Sequence, residues 1–124
     1  MPVPIRTTIV FLIKRDKHGA PEKVCLGMKK RGFGNQKWNG AGGKLVEGED
    51  FVESAKRELK EEFGVVGKRF EHVASLDFPE SDGNPAYYSQ VYFCDKWDGE
   101  ISESEEMRPE WFAVGENPIR QDVG

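Results

Sequence analysis

The sequence predicts an α+β domain in which several strands and one helix share a core. Apolar runs separated by turn residues predict strands over residues 5–14, 23–30, 70–78, 87–94 and 107–114. Between the second and third run, Asp50 followed by Glu53 is typical of a helix N-cap with a capping box. Gly64 is typical of the residue just past a helix end. We therefore expect one helix between residues 50 and 64.

The chain has the size of a single domain, and we assign residues 1–124 to one. Cys25 and Cys94 lie in apolar runs without metal-binding spacing, which favours small buried core residues in a reducing compartment. The N-terminal apolar run is too short for a signal peptide or a membrane span. These features predict a cytoplasmic protein that neither enters a membrane nor carries a cysteine-based metal site.

The predicted helix separates apolar and acidic side chains. The apolar positions fall on one arc of about 80° at 100° per residue; they are Val52, Ala55, Leu59 and Phe63. Glu58, Glu61 and Glu62 fall on an adjoining arc of roughly 100°. Arg57 lies about 100° from Glu58, so we expect no cation on the acidic arc to offset the repulsion.

Two interpretations of this acidic arc compete. A solvated helix face is the ordinary one, but an unrelieved carboxylate cluster beside a buried stripe favours a site for Mg²⁺, which takes oxygen ligands. A glycine-rich turn is expected just before the helix, because Gly40, Gly42 and Gly43 permit close backbone approach and positive φ angles. The turn and the carboxylates together predict a metal site.

Residues 43–65 carry a longer pattern: Gly43, five residues, Glu49, seven residues, then REL-K-EE-F-G-V from Arg57 to Val65. At every specified position this pattern resembles the signature of the Nudix hydrolases. The resemblance implies the Nudix fold, an α/β/α sandwich with a mixed sheet and a loop–helix–loop motif. It also implies a pyrophosphohydrolase of nucleoside diphosphate derivatives that depends on Mg²⁺, with Mn²⁺ as an alternative ion.

The resemblance implies roles for particular residues. The metal ligands would be the Gly42 carbonyl, Glu58, Glu61, Glu62 and Glu106. Either Glu61 or Glu106 would be the general base. Arg57 would anchor Glu49 through a charge-assisted pair, although an i,i+4 pair between Arg57 and Glu53 is an alternative.

The segments 27–34 (GMKKRGFG), 38–40 (WNG) and 103–112 (ESEEMRPEWF) resemble the MutT-type oxidised-purine nucleoside triphosphatases. This implies that Asn39 contacts the base, with donor and acceptor groups in one amide. Phe33 and Phe78 would line the base pocket, unless they are core aromatics. Lys29 belongs to a basic stretch, residues 14–44, that holds nine Lys or Arg against two acids. Such a stretch beside acidic metal ligands suits a polyphosphate.

Members of that branch continue with an acidic pair that reads the purine and a second helix that covers the sheet. Residues 119–124 stand where that pair begins, so we expect the C-terminal helix to be missing here. Relaxed base selectivity, a homodimer that covers the exposed sheet face, or both would follow.

The function predicted from the sequence is hydrolysis of a nucleoside triphosphate to nucleoside monophosphate and pyrophosphate, with 8-oxo-dGTP as a candidate substrate. One rival keeps the chemistry but takes a dinucleoside polyphosphate, ADP-ribose or an mRNA cap. Another is a non-catalytic nucleotide-binding module on the same scaffold. The expected partners are a nucleotide substrate and the second copy of the chain described above, without direct binding to nucleic acid.

Overall fold

The computed structural model describes residues 3–30 and 37–115, and it confirms an α+β fold with a mixed sheet. All five predicted strands and the predicted helix are present. In chain order the elements are β1 (Ile5–Arg15), β2 (Pro21–Lys29), β3 (Trp38–Asn39), β4 (Ala41–Lys44), α1 (Phe51–Phe63), β5 (Val66–Phe78), β6 (Tyr87–Asp98) and β7 (Met107–Ala113).

Strand β1 is the centre of the sheet. On one edge it runs parallel to β6, which in turn pairs antiparallel with β5. On the other edge its first half pairs with β4 and its second half with β2, both antiparallel. Strand β2 also pairs with β3 and β7. Because β4 and β2 diverge from the same edge of β1, the sheet forks there.

Helix α1 begins and ends where the sequence predicts. The Asp50 side chain accepts from the Glu53 N–H at 2.7 Å, and the Glu53 side chain accepts from the Asp50 N–H at 3.0 Å. Gly64 adopts the left-handed conformation, with φ 77°. These contacts satisfy backbone groups that a helix end leaves without partners.

The apolar stripe of α1 packs on one face of the sheet. Ala55, Leu59 and Phe63 are fully buried, whereas Val52 lies only partly buried at the margin. The buried cluster also contains residues from β1, β2, β4, β6 and β7: Val10, Leu12, Cys25, Ala41, Tyr92, Cys94 and Met107, together with Val65. Both cysteines are thus buried and free, as predicted.

Gly40, Gly42 and Gly43 do not form the turn expected before the helix, although the close backbone approach expected of them is confirmed. Gly42 and Gly43 lie in β4, and in the described residues the positive φ of this region belongs to Gly48 instead. A Cβ built on Gly42 would stand 2.0 Å from the Thr8 carbonyl oxygen, so glycine here permits close pairing of β4 with β1. These glycines therefore allow two strands to lie close together and do not form a turn.

Strands β3 and β4 escaped prediction because they are two and four residues long. Strand β6 extends through Asp98, four residues beyond its predicted end, since Trp97 still packs against the core. Phe33 and residues 119–124 lie outside the described residues. Among the helices described, none is long and apolar enough to cross a membrane.

Candidate active site

Arg57 and Glu49 join the middle of α1 to the loop that precedes the helix. Arg57 Nε donates to Glu49 Oε2 at 2.8 Å and Nη2 donates to Glu49 Oε1 at 3.1 Å. The Val46 N–H also donates to Glu49 Oε1, at 3.0 Å. These donors, Arg57 first, lower the pKa of the Glu49 carboxyl to about 2. The loop is thereby fixed to the helix.

Arg57 also reaches the acidic arc, which corrects the expectation that the arc has no cation. Its Nη1 donates to Glu58 Oε1 at 2.8 Å and to Glu61 Oε2 at 3.2 Å. The angular argument located Cβ atoms, whereas a guanidinium on a three-carbon stem reaches across about 100° of helix surface. Glu53 is engaged with the N-cap N–H instead.

Glu62 is the buried member of the arc, with 8% of its surface exposed. Its Oε2 accepts from the Gly42 N–H of β4 at 2.8 Å. Burial raises the pKa of Glu62 above its ordinary value, and the charge of Glu58 beside it raises that pKa further. The Gly42 N–H and the Lys29 ammonium act in the opposite direction. Two neighbouring carboxylates thus face the fork of the sheet.

A cavity of about 300 Å³ opens at that fork. Six of the residues that the sequence singled out line it: Lys29, Asn39, Gly40, Gly42, Gly43 and Glu62. The Asn39 Oδ1 accepts from the Gly40 N–H at 2.8 Å, which holds the amide at the cavity mouth. The cavity therefore combines a cation, an amide and a buried carboxylate.

Other predicted residues lie outside this lining. Glu61 has 58% of its side chain exposed and contacts Arg57. Glu106 is exposed at the residue before Met107, which does line the cavity. Phe78 ends β5 with 49% of its surface exposed, and the lining described does not include it.

The sequence analysis missed several residues that form the cavity. They are Thr7, Thr8, Ile9 and Met107. Apolar and small side chains carry no chemical signal of their own, and the fork that gathers them depends on long-range strand pairing. A usable signal existed for Met107, because it directly follows Glu106.

The carboxylates of Glu62 and Glu58 lie beside Gly42 and Gly43 of β4. Glu58 and Glu62 are neighbours, and a Cβ on Gly43 would lie 2.9 Å from Glu58 Oε1, so this glycine leaves room for the carboxylate. In residues 3–30 and 37–115, no three Asp, Glu, His or Cys side chains converge as a metal cluster. Arg57 instead holds Glu58 and Glu61. Oxygen donors of this kind suit a hard divalent cation.

Comparison with known proteins places this geometry in a family. The family model described as NUDIX domain matches residues 4–123. An oxidized purine nucleoside triphosphate hydrolase of Mus musculus is 46% identical over 100 residues, which cover 80% of this chain and 64% of that protein. The protein of the same name from Danio rerio is 41% identical over 101 residues, covering 82% and 65%. The chain thus spans slightly under two thirds of the length of these relatives.

Among solved structures, the MutT NUDIX hydrolase from Burkholderia pseudomallei superposes with a TM-score of 0.77 over 94% of this chain and 88% of its own, at 23% identity. That likeness shows the fold. With the match of the family model over nearly the whole chain, it follows that the chain belongs to the NUDIX domain family.

Proposed function

We propose that this chain is a divalent-metal-dependent pyrophosphohydrolase of nucleoside triphosphates, with Mg²⁺ as its ion. The observation that carries the proposal is the cavity at the sheet fork. Lys29 and Asn39 line it together with Glu62, the buried carboxylate of the family's motif helix. A cation for phosphates, an amide for a base edge and carboxylates for a metal are the groups that a metal-bound nucleotide requires.

The chain's own residues would divide the work as follows. Lys29 offsets charge on the phosphate chain, and Asn39 presents its amide to the base. Glu61 or Glu106 accepts a proton from a water molecule as the water oxygen bonds to phosphorus. The bridging P–O bond breaks, and the products are a nucleoside monophosphate and pyrophosphate.

Glu58, Glu62 and the Gly42 carbonyl, with Glu61 and Glu106, would hold the metal. When bound, Mg²⁺ neutralises charge on the phosphate oxygens and helps to align the attack. Arg57 would keep Glu49 throughout, so that the loop before α1 stays in place while Glu58 and Glu61 exchange partners.

Oxidised purine nucleoside triphosphates such as 8-oxo-dGTP are the substrates we favour. The names of the two relatives at 41% and 46% identity support this choice. Hydrolysis of a dinucleoside polyphosphate, ADP-ribose or an mRNA cap is the rival within the family, and nucleotide binding without catalysis is the second rival. The complete set of motif carboxylates argues against the second.

A nucleotide panel tests the proposal. Purified protein is incubated with 8-oxo-dGTP, dGTP, dCTP, diadenosine tetraphosphate and ADP-ribose, in Mg²⁺ and in EDTA. We expect Mg²⁺-dependent release of pyrophosphate, fastest from 8-oxo-dGTP. Turnover of ADP-ribose alone would favour the first rival, and nucleotide binding without turnover would favour the second.

Two further elements belong to the proposal. The buried free thiols of Cys25 and Cys94 suit a reducing compartment, and we assign the protein to the cytoplasm. A second copy of the chain would cover the apolar groove on the sheet face opposite α1, which Phe11, Ile13 and Leu26 line with others. Light scattering across a concentration range tests this: a constant monomer mass would contradict the dimer.

A further inference from the structure

The segment between β6 and β7, residues 99–106, leads directly into the cavity because Met107 follows it. Near its middle, the Ser102 N–H donates to the Phe63 carbonyl at the end of α1, at 3.0 Å. Further on, Ser104 Oγ accepts from the N–H groups of Glu106 and Met107 at 3.2 and 3.1 Å. The course of the last residues therefore depends on where Ser104 lies.

Lys30 holds Ser104 from the end of β2. Its Nζ donates to the Ser104 carbonyl at 2.8 Å and forms an ion pair with Glu103. Its own N–H donates to the Glu106 carbonyl at 2.9 Å. The preceding residue, Lys29, lines the cavity. Of these adjacent lysines, Lys29 lines the cavity and Lys30 contacts the segment beside it.

An exposed ion pair alone would carry little weight. The side chains of Lys30 and Glu103 are 36% and 50% exposed, and such solvent-exposed pairs contribute little to stability. The additional bond to the Ser104 carbonyl distinguishes Lys30, because it fixes the residue whose hydroxyl accepts from the N–H groups of Glu106 and Met107. Its effect is expected on geometry near Glu106 more than on global stability.

We propose that Lys30 is a positioning residue that holds residues 103–106 in register with the cavity and so sets the place of Glu106. This rests on the proposed function, in which Glu106 binds metal or accepts a proton. The side chain of Lys30 touches the segment, and it acts on the reaction through Glu106.

The test compares Lys30→Met with Lys30→Arg and with Lys68→Met. The methionine keeps the aliphatic stem but removes the donor, and the backbone bond to Glu106 stays. Lys68 is the matched control, since it forms an exposed pair with Asp98 at 3.2 Å on another part of the surface. We measure kcat and KM for a nucleoside triphosphate in Mg²⁺, and amide hydrogen exchange of residues 102–107 in metal-free protein.

Lys30→Met is expected to lower kcat roughly tenfold with little change in KM, since small displacements of a catalytic group are costly. Exchange at Glu106 and Met107 should quicken, Lys30→Arg should recover most of the rate, and Lys68→Met should match the wild type. In a Glu106→Gln background, adding Lys30→Met should lower kcat by less than about twofold. The effects of two residues that act through one group are not additive.

Three results would overturn the role of Lys30. They are an unchanged kcat, unchanged exchange at residues 102–107, and an equal loss of rate with and without Glu106. If the wild type itself hydrolyses none of the nucleotides tested, the proposed function fails, and the role of Lys30 in it fails too. If the wild type is active and Lys30→Met has the same kcat and the same hydrogen exchange, only the positioning role is overturned.

Discussion

Arg57 forms a bidentate pair with Glu49, in which Nε donates to Oε2 at 2.8 Å and Nη2 donates to Oε1 at 3.1 Å. The same guanidinium donates through Nη1 to Glu58 and Glu61. One side chain therefore performs two tasks: it fixes the loop before α1, and it neutralises part of the carboxylate arc. A bound metal ion would take over only the neutralisation of the carboxylates, and Arg57 would still fix the loop.

The Glu49 pair predicts acid sensitivity. The pKa of Glu49 is lowered in the folded protein from an ordinary 4.5 to about 2, so its stabilising effect is complete above pH 4.5 and is lost as the pH falls toward 2. Glu49→Gln should lower Tm at pH 7, and the difference from wild type should shrink between pH 5 and pH 2.5. Glu47→Gln, in the same loop, is the control. A difference in Tm that did not vary with pH would contradict this account.

Glu62 predicts the opposite dependence on pH. Burial and the charge of Glu58 raise its pKa, so its ionisation opposes folding once the pH exceeds the ordinary value of 4.5, and stability is lost as the pH rises. In EDTA, Glu62→Gln should therefore melt above wild type, by a margin that widens from pH 5 to pH 8. The variant should also lose the stabilisation by Mg²⁺ that we expect for wild type. Identical melting in EDTA at all pH values would refute the buried charge.

Adjacent glycines predict different failures. In Gly42→Ala the new methyl group would meet the Thr8 carbonyl oxygen of β1 at 2.0 Å, so β4 must shift, at roughly 3 kcal/mol of stability. In Gly43→Ala it would meet the movable Glu58 carboxylate at 2.9 Å, so the fold should survive while Mg²⁺ binding weakens. Urea denaturation and calorimetric titration of Mg²⁺ separate the two. Equal stability losses would show that β4 is not packed as described.

Lys29 predicts selectivity for phosphate chains. Loss of a charged hydrogen-bond donor costs ~1.5–3 kcal/mol, so Lys29→Met should weaken triphosphate binding by roughly tenfold to a hundredfold. Binding of the corresponding nucleoside should change little. Lys23→Met is a matched control, since Lys23 lies at the opposite end of β2, paired with Lys14. Titration with a non-hydrolysable triphosphate measures the effect, and equal losses for triphosphate and nucleoside would place Lys29 away from the phosphates.

The sequence predicted local features better than assembled ones. Helix α1 could be placed because Asp50, Glu53 and Gly64 are local signals that act within one turn. The place of Gly42 in a strand instead of a turn was not predicted, because it depends on close approach to the Thr8 carbonyl of another strand. The reach of Arg57 was missed since helical angles locate Cβ atoms and not the ends of long side chains.

The cavity shows the same limit. The charges of Lys29 and Glu62 indicated a functional role from the sequence, and both side chains line the cavity. Thr8 and Met107 line it equally, yet their place depends on the fork at β1 and on the course of residues 99–106. Phe78 is an aromatic side chain of the kind expected in a base pocket, but it lies at the end of β5 with 49% of its surface exposed.

The central claim is that the cavity and the carboxylates of α1 together hydrolyse a nucleoside triphosphate. Product analysis by anion-exchange chromatography tests it most directly, with 8-oxo-dGTP as substrate. Wild type in Mg²⁺ should yield one monophosphate and one pyrophosphate per triphosphate consumed, and nothing in EDTA. Glu61→Gln and Glu62→Gln should each be slower by roughly 100-fold or more. Release of diphosphate and inorganic phosphate, or wild-type rates in both variants, would contradict the claim.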